Sequence, residues 1–174
     1  MDLKNKFILD ATAGFKMMWY NKQHPNVLYI DERPECEPDL IADFKNLDQI
    51  PDNSFNLIIF DPPHLLRKNK LATMTMVRRF GALEADTWQI DLKKGFNELW
   101  RVLEPGGYLI FKWSNYDISC AEILKLSPAT PLIYQIAANK YRTANGKRKG
   151  LNSGADTVQT LWFLFMKPKT ELPK

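Results

Sequence analysis

Four apolar runs in the first part of the chain each close on an aspartate. Phe7-Ile8-Leu9 ends at Asp10, Val27-Leu28-Tyr29-Ile30 at Asp31, Leu40-Ile41-Ala42 at Asp43, and the run from Phe55 to Phe60 at Asp61. A single aspartate in such a place is usually a helix cap or a turn residue. Four at equivalent ends favour a shared ligand site, because ligands of open parallel sheets bind outside the carboxyl ends of the strands. Asp61 also opens the sharpest motif, Asp61-Pro62-Pro63-His64. The two prolines stiffen the turn and hold a backbone carbonyl outward beside the carboxylate. In isolation this would read as a Pro-Pro turn with a surface histidine. After an apolar strand and three other acid-tipped strands, a catalytic reading is favoured.

The elements that must hold these groups follow from hydrophobic patterning. Apolar runs bounded by turn residues alternate with longer amphipathic stretches, the pattern of an α/β sheet. The stretch 15–22 predicts a short helix, closed by the polar turn before Pro25. From Leu65 to Thr87, basic residues stand among methionines and small residues with weak periodicity. That predicts a solvated loop with a marginal helix, bordering the site. Residues 90–103 predict a longer helix with Phe96, Leu99, Trp100 and Leu103 on one face. Pro105-Gly106-Gly107 ends it and turns into a fifth strand, Tyr108 to Phe111. A helix over 118–126 precedes a sixth strand, Leu132 to Ala137, and a seventh runs from Thr160 to Met166. The polar, basic connection between these last two offers no strong crossover helix, so they are expected to be antiparallel.

Taken in motif order, the chain resembles the Class I (Rossmann-like) S-adenosylmethionine-dependent methyltransferases. Within them it resembles the amino-methyltransferases with an Asp-Pro-Pro-aromatic motif, the small phage and prophage DNA methyltransferases in particular. Asp10-Ala11-Thr12-Ala13-Gly14 is similar to the cofactor loop. Asp31-Glu32 stands where an acidic residue binds the ribose hydroxyls, and Asp43-Phe44 where the adenine is held. Asp61-Pro62-Pro63-His64 stands at the catalytic motif, and Leu103-Glu104-Pro105-Gly106-Gly107 at the turn before strand five. The resemblance implies a three-layer Rossmann-like sandwich with a seven-stranded, mostly parallel sheet, and S-adenosylmethionine as cofactor. It further implies methyl transfer to an exocyclic amino group of a nucleic-acid base, adenine N6 or cytosine N4, with DNA favoured over RNA. Phe15 and Lys16 depart from the pattern, standing where a further glycine is common.

The residue types suit those roles. Small residues in the Asp10–Gly14 loop let backbone approach a ligand closely. Asp31 can accept two charge-assisted hydrogen bonds from a diol. An exocyclic base nitrogen is a poor nucleophile because its lone pair is delocalised into the ring. Hydrogen bonds to the Asp61 carboxylate and the Pro62 carbonyl would draw it toward tetrahedral geometry and aim the lone pair at a methyl donor. His64 replaces the more usual tyrosine or phenylalanine. It is expected to stack on an extruded base, with general-base action as the alternative. Two rival functions stay open: methylation of RNA or of a protein glutamine, and a non-catalytic subunit that keeps the fold. The glutamine enzymes tend to carry Asn in the first motif position, so Asp61 leans toward a base.

Composition bounds the rest. The chain has 174 residues, 45% hydrophobic and 25% charged, enough for one domain over residues 1–174 with a sizeable core. No separate target-recognition domain fits, so specificity falls to the 65–87 loop, a partner or a second subunit in a homo-oligomer. A formal charge of +4 is compatible with a polyanionic partner. Arg67–Lys70, Arg78-Arg79 and Lys140–Lys149 are candidate phosphate contacts, though such runs are as often solvated faces. Trp100 and Trp162 are expected in the core, while Trp88 and Trp113 are left open. Two cysteines and two histidines give no metal-ligand spacing, and no metal is expected. No apolar run approaches the roughly 20 residues of a membrane span, and the polar start shows no secretory signal. A cytoplasmic protein is the resulting expectation.

Overall fold

The computed structural model of the protein describes residues 3–67, 77, 80–137 and 159–169. Its strands in chain order are β1 (Ile8–Asp10), β2 (Val27–Asp31), β3 (Leu40–Ile41), β4 (Phe55–Phe60), β5 (Leu66–Arg67), β6 (Leu83–Glu84), β7 (Leu103–Ser114), β8 (Ile133–Ala137) and β9 (Thr160–Met166). Helix α1 spans Trp88–Val102 and α2 spans Cys120–Leu124. Seven strands make one sheet in the order β3-β2-β1-β4-β7-β9-β8. β3, β2, β1, β4 and β7 pair in parallel. β9 is antiparallel to both β7 and β8, so β8 runs with the rest. The expected antiparallel pair is therefore present, but only its second strand opposes the sheet.

Alternation along the strands sorts side chains between the two faces. Leu9, Leu28, Ile30, Ile58, Phe60, Leu109, Phe111, Leu161, Phe163 and Phe165 share one buried cluster with Leu92, Phe96, Leu99 and Val102 of α1 and Ile123 of α2. The helical spacing of the α1 residues, three or four apart, gives one apolar face to lay on the sheet. Phe96 meets Phe60 and Phe111 edge to face at 5.4 and 5.1 Å between ring centroids. The C-terminal end of α1 is held by Lys167, whose Nζ donates to the Trp100 and Leu103 carbonyls at 2.8 and 2.7 Å. Ser119 and Glu122 form a reciprocal capping box at the start of α2. The opposite face carries a smaller cluster of Ala13, Val27 and Tyr29, with Ile8 and Trp19 against it.

One predicted helix is absent. Residues 15–22 form successive turns. Lys16 adopts φ 55°, a left-handed conformation that interrupts a right-handed helix. Trp19 swings back onto Asp10, with its indole N–H 2.6 Å from the carboxylate. The other elements differ at their ends: α1 begins two residues earlier than expected and yields at Leu103, which is already extended. β7 is longer than expected because Leu103 pairs with Phe55 before a register shift opposite Leu57. Within the expected 65–87 loop, Leu66–Arg67 and Leu83–Glu84 form a short parallel pair. Among the described residues, no helix is long and apolar enough to cross a membrane, and no cluster of metal-ligating side chains occurs.

Candidate active site

The acid tips converge because they share a parity. Asp10 follows Ile8 by two residues, Asp31 follows Tyr29 by two and Asp61 follows Ile59 by two, so all three leave the sheet on the face away from α1. The loop after β1 ties the three strand ends together with its own backbone. Ala11 N donates to Ile59 O at 3.0 Å and Ala13 N to Ile30 O at 2.9 Å. Gly14 N donates to Asp31 Oδ2 at 2.8 Å. Thr12 Oγ1 accepts from Asp61 N at 2.9 Å. Ala11 and Ala13 are buried, and larger side chains there would wedge the strand ends apart. Gly14 takes φ 51°, and a Cβ on it would stand 3.4 Å from the Arg33 guanidinium.

Each carboxylate has a different environment. Asp31 Oδ1 accepts from Arg33 N at 3.0 Å and Arg33 Nε at 2.9 Å, and its Oδ2 accepts from the same guanidinium at 3.2 Å. Asp10 is 1% exposed and, among the described residues, accepts from Trp19 Nε1 and, at 3.3 Å, from Thr12 N. Burial pushes its carboxyl up to about 6; the two hydrogen bonds oppose the rise, while the charges of Asp61 and Asp31 add to it. Asp61 accepts from His64 Nε2 at 3.0 Å and from Lys112 Nζ at 2.6 Å. Burial pushes Asp61 up as well, but the histidine bond and the two basic neighbours outweigh it and leave the carboxyl below its ordinary range. Asp61 is thus an anion held by two donors.

His64 stands edge-on to Trp113, with 5.0 Å between ring centroids. Its Nδ1 is buried with no hydrogen-bond partner among the described residues. Pro62 is buried, and Pro63 lies against Gly81, where a Cβ would approach its ring to 2.9 Å. Farther along the edge, Asp43 turns back on Lys45, accepting from its backbone N at 2.9 Å and its Nζ at 3.2 Å. Phe44 is directed inward, 5.2 Å from the Phe60 ring and pressed on α1 at Gly95. Glu32 is exposed.

No family model and no curated protein matches the chain. Solved structures do. A protein of Pyrococcus horikoshii OT3 has a TM-score of 0.59 at 12% identity, over 93% of this chain and 81% of that one. A SAM-dependent methyltransferase of Methanosarcina mazei has a TM-score of 0.51 at 14% identity, over 92% of each chain. The 1,6-didemethyltoxoflavin-N1-methyltransferase of Burkholderia thailandensis has 0.54 at 15%, over 92% of this chain and 70% of that one. Among such structures the chain spans from 44% to 92% of the other's length. The fold is that of the Rossmann-like methyltransferases.

Within this methyltransferase fold, the site brings together Asp10, Ala11, Thr12, Ala13, Gly14, Asp31, Asp61, Pro62, Pro63 and His64 at one edge. Among the described residues, the Asp43 carboxylate meets its local Lys45 and not the other acid tips. Three participants were not read from the sequence as site residues: Trp19, Arg33 and Lys112. A signal for Lys112 was present, since it is the one charged residue in the run Tyr108-Leu109-Ile110-Phe111-Lys112-Trp113. Nothing local marked Trp19 or Arg33. Trp162 corrects its core expectation: it alternates away from the buried cluster and lies under Lys112, whose Nζ is 5.7 Å from its ring centroid. Trp113 is buried, stacked on Phe111 at 5.8 Å, and Trp100 packs against the core as expected. Arg67 pairs with Glu84 at 3.1 Å. Lys68, Lys70, Arg78, Arg79 and the Lys140–Lys149 segment lie outside the described residues.

Proposed function

We propose that the protein transfers a methyl group from S-adenosylmethionine to an exocyclic amino group of a nucleic-acid base, adenine N6 or cytosine N4, with DNA as the favoured substrate. The observation that carries this reading is the hydrogen bond from Asp61 N to Thr12 Oγ1. It joins the loop suited to a methyl donor to the turn suited to a methyl acceptor. The residues also fit the cofactor's charge. Asp31 has Arg33 and Asp61 has Lys112, whereas Asp10, buried between them, accepts among the described residues from a neutral indole and a backbone N–H. A cationic ligand nearby would relieve that imbalance.

S-adenosylmethionine supplies an electrophilic methyl group on a cationic sulfur. Asp61 and the Pro62 carbonyl accept the two N–H protons of the acceptor amine and orient its lone pair. Held by Asp31 and the Asp10–Gly14 loop, the cofactor would supply the methyl group to that lone pair, with the C–S bonding pair kept by its sulfur. The surplus N–H proton leaves through the Asp61 carboxylate to solvent. His64 and Lys112 hold that carboxylate in place, and its lowered pKa keeps it a hydrogen-bond acceptor throughout the neutral range.

The test combines calorimetric titration of the cofactor with mass analysis of nucleosides from DNA and RNA treated with protein and cofactor. Stoichiometric binding and an N6-methyladenine or N4-methylcytosine product are expected. Substrate affinity should fall steeply with salt if lysines and arginines contact phosphates. No cofactor binding would overturn the assignment. Methylation confined to RNA, or to glutamine in a peptide, would move the substrate to one of the rival classes.

A further inference from the structure

Among the described residues, Lys112 is a basic residue in contact with the acceptor turn that neither the loop nor the motif accounts for. It projects from β7, where it pairs in register with Trp162 on β9, and its ammonium lies over that indole. The side chain is 25% exposed, so the ammonium is pinned yet reachable from the site. An ammonium carries three donors, of which Asp61 Oδ2 takes one.

The occupied carboxylate still has room. Two of its roughly four lone-pair positions are filled, one on each oxygen. An incoming amine can donate to Oδ2 without displacing Lys112. Two donors sharing one oxygen at ordinary lengths and angles stand about 4.6 Å apart. In a conjugated N–C–N edge, with C–N bonds of about 1.33 Å, the two nitrogens are about 2.3 Å apart. One hydrogen bond of about 2.9 Å added to that span reaches about 5 Å. The gap between the bound amine and Lys112 is therefore closed by a lone-pair atom one bond removed from the amine-bearing carbon.

We propose that Lys112 is a specificity residue: Asp61 accepts the amine N–H while the Lys112 ammonium donates to the ring nitrogen beside it. The pair reads the donor–acceptor edge of an aminated heterocycle, N6–H with N1 of adenine, or N4–H with N3 of cytosine. An aliphatic amine fails on both counts, since it offers no neighbouring acceptor and arrives as a cation beside another cation. The inference rests on the base-methylation reading above.

The test uses the intact protein and its Lys112→Met variant, with cofactor binding to each as the measure of correct folding. Single-turnover methyl transfer is followed on single-stranded DNA oligonucleotides carrying adenine, 1-deazaadenine, 7-deazaadenine, cytosine or 3-deazacytosine. The wild-type protein should disfavour 1-deazaadenine or 3-deazacytosine, whichever matches the base it methylates, by about tenfold or more relative to the parent, as loss of a charged hydrogen bond requires, and should accept 7-deazaadenine as it accepts adenine. Lys112→Met should slow the parent base by a similar factor and bring the parent-to-analogue ratio to within about twofold of unity. A ratio left unchanged by Lys112→Met overturns the inference, as does a wild-type protein indifferent to both 1-deazaadenine and 3-deazacytosine. Those outcomes leave base methylation standing. No transfer to the unmodified oligonucleotides despite cofactor binding, or transfer to a glutamine peptide in their place, removes the base-methylation reading and this inference with it.

Discussion

Replacing Asp10 by asparagine tests the electrostatics of the site without removing a side chain's volume. In the folded protein burial raises this carboxyl from the ordinary 3.8 to about 6. The folded state therefore holds a proton between roughly pH 4 and 6 that the unfolded chain has released. Stability contributed by that proton is fully present below pH 4 and is lost as pH rises through 6. The shift corresponds to roughly 3 kcal/mol against folding above pH 6. Asparagine escapes that cost. Its amide oxygen can keep the 2.6 Å bond from Trp19, while the weaker 3.3 Å contact from Thr12 N is lost, at about 1 kcal/mol. Asp10→Asn should thus be more stable by about 2 kcal/mol at pH 7.5, a gain of about 4–8 °C in Tm for a chain of this size. The gain should vanish near pH 4. Thermal unfolding of both proteins from pH 4 to 8, without cofactor, measures it. A difference independent of pH, or a less stable variant at pH 7.5, would refute the reasoning. The same substitution should weaken S-adenosylmethionine binding, since the carboxylate that destabilises the empty fold is the one a cationic ligand needs.

Asp61→Ala should abolish methyl transfer, measured in a single turnover, while calorimetry finds cofactor affinity largely retained. His64→Gln, which keeps a donor for Asp61, should retain more transfer than His64→Ala; if stacking on the base dominates, His64→Phe and His64→Tyr will instead be the better replacements. Asp31→Ala should weaken cofactor binding by about ten- to a hundredfold. Arg33→Ala, which leaves Asp31 in place and frees its acceptor positions, should leave that affinity equal or higher, and a parallel loss in both variants would count against the ribose-binding role. Gly95→Ala should destabilise the fold by about 1–3 kcal/mol in denaturant titration, because the added methyl overlaps the Phe44 ring.

The sequence by itself determined the strands and their acid tips. Buried parallel strands need continuous apolar runs, and an aspartate at the end of each run is visible as a break in hydropathy. β9 occupies the seven residues that patterning predicts, and Asp10, Asp31 and Asp61 share a face by a parity that can be counted along the chain. Tertiary structure decided what those carboxylates meet. The stretch 15–22 carries helical patterning, yet a left-handed Lys16 and the bond from Trp19 back to Asp10 of β1 turn it into a loop, and both side chains also meet Tyr29 of β2. Likewise β9 enters the sheet between β7 and β8, a placement that local periodicity does not encode because pairing is chosen among distant strands. That insertion puts Trp162 beneath Lys112, and the pairing of β4 with β7 brings Lys112 to Asp61 across 51 residues of chain. An apolar run tells which face a residue takes; only strand order tells which charge stands opposite it.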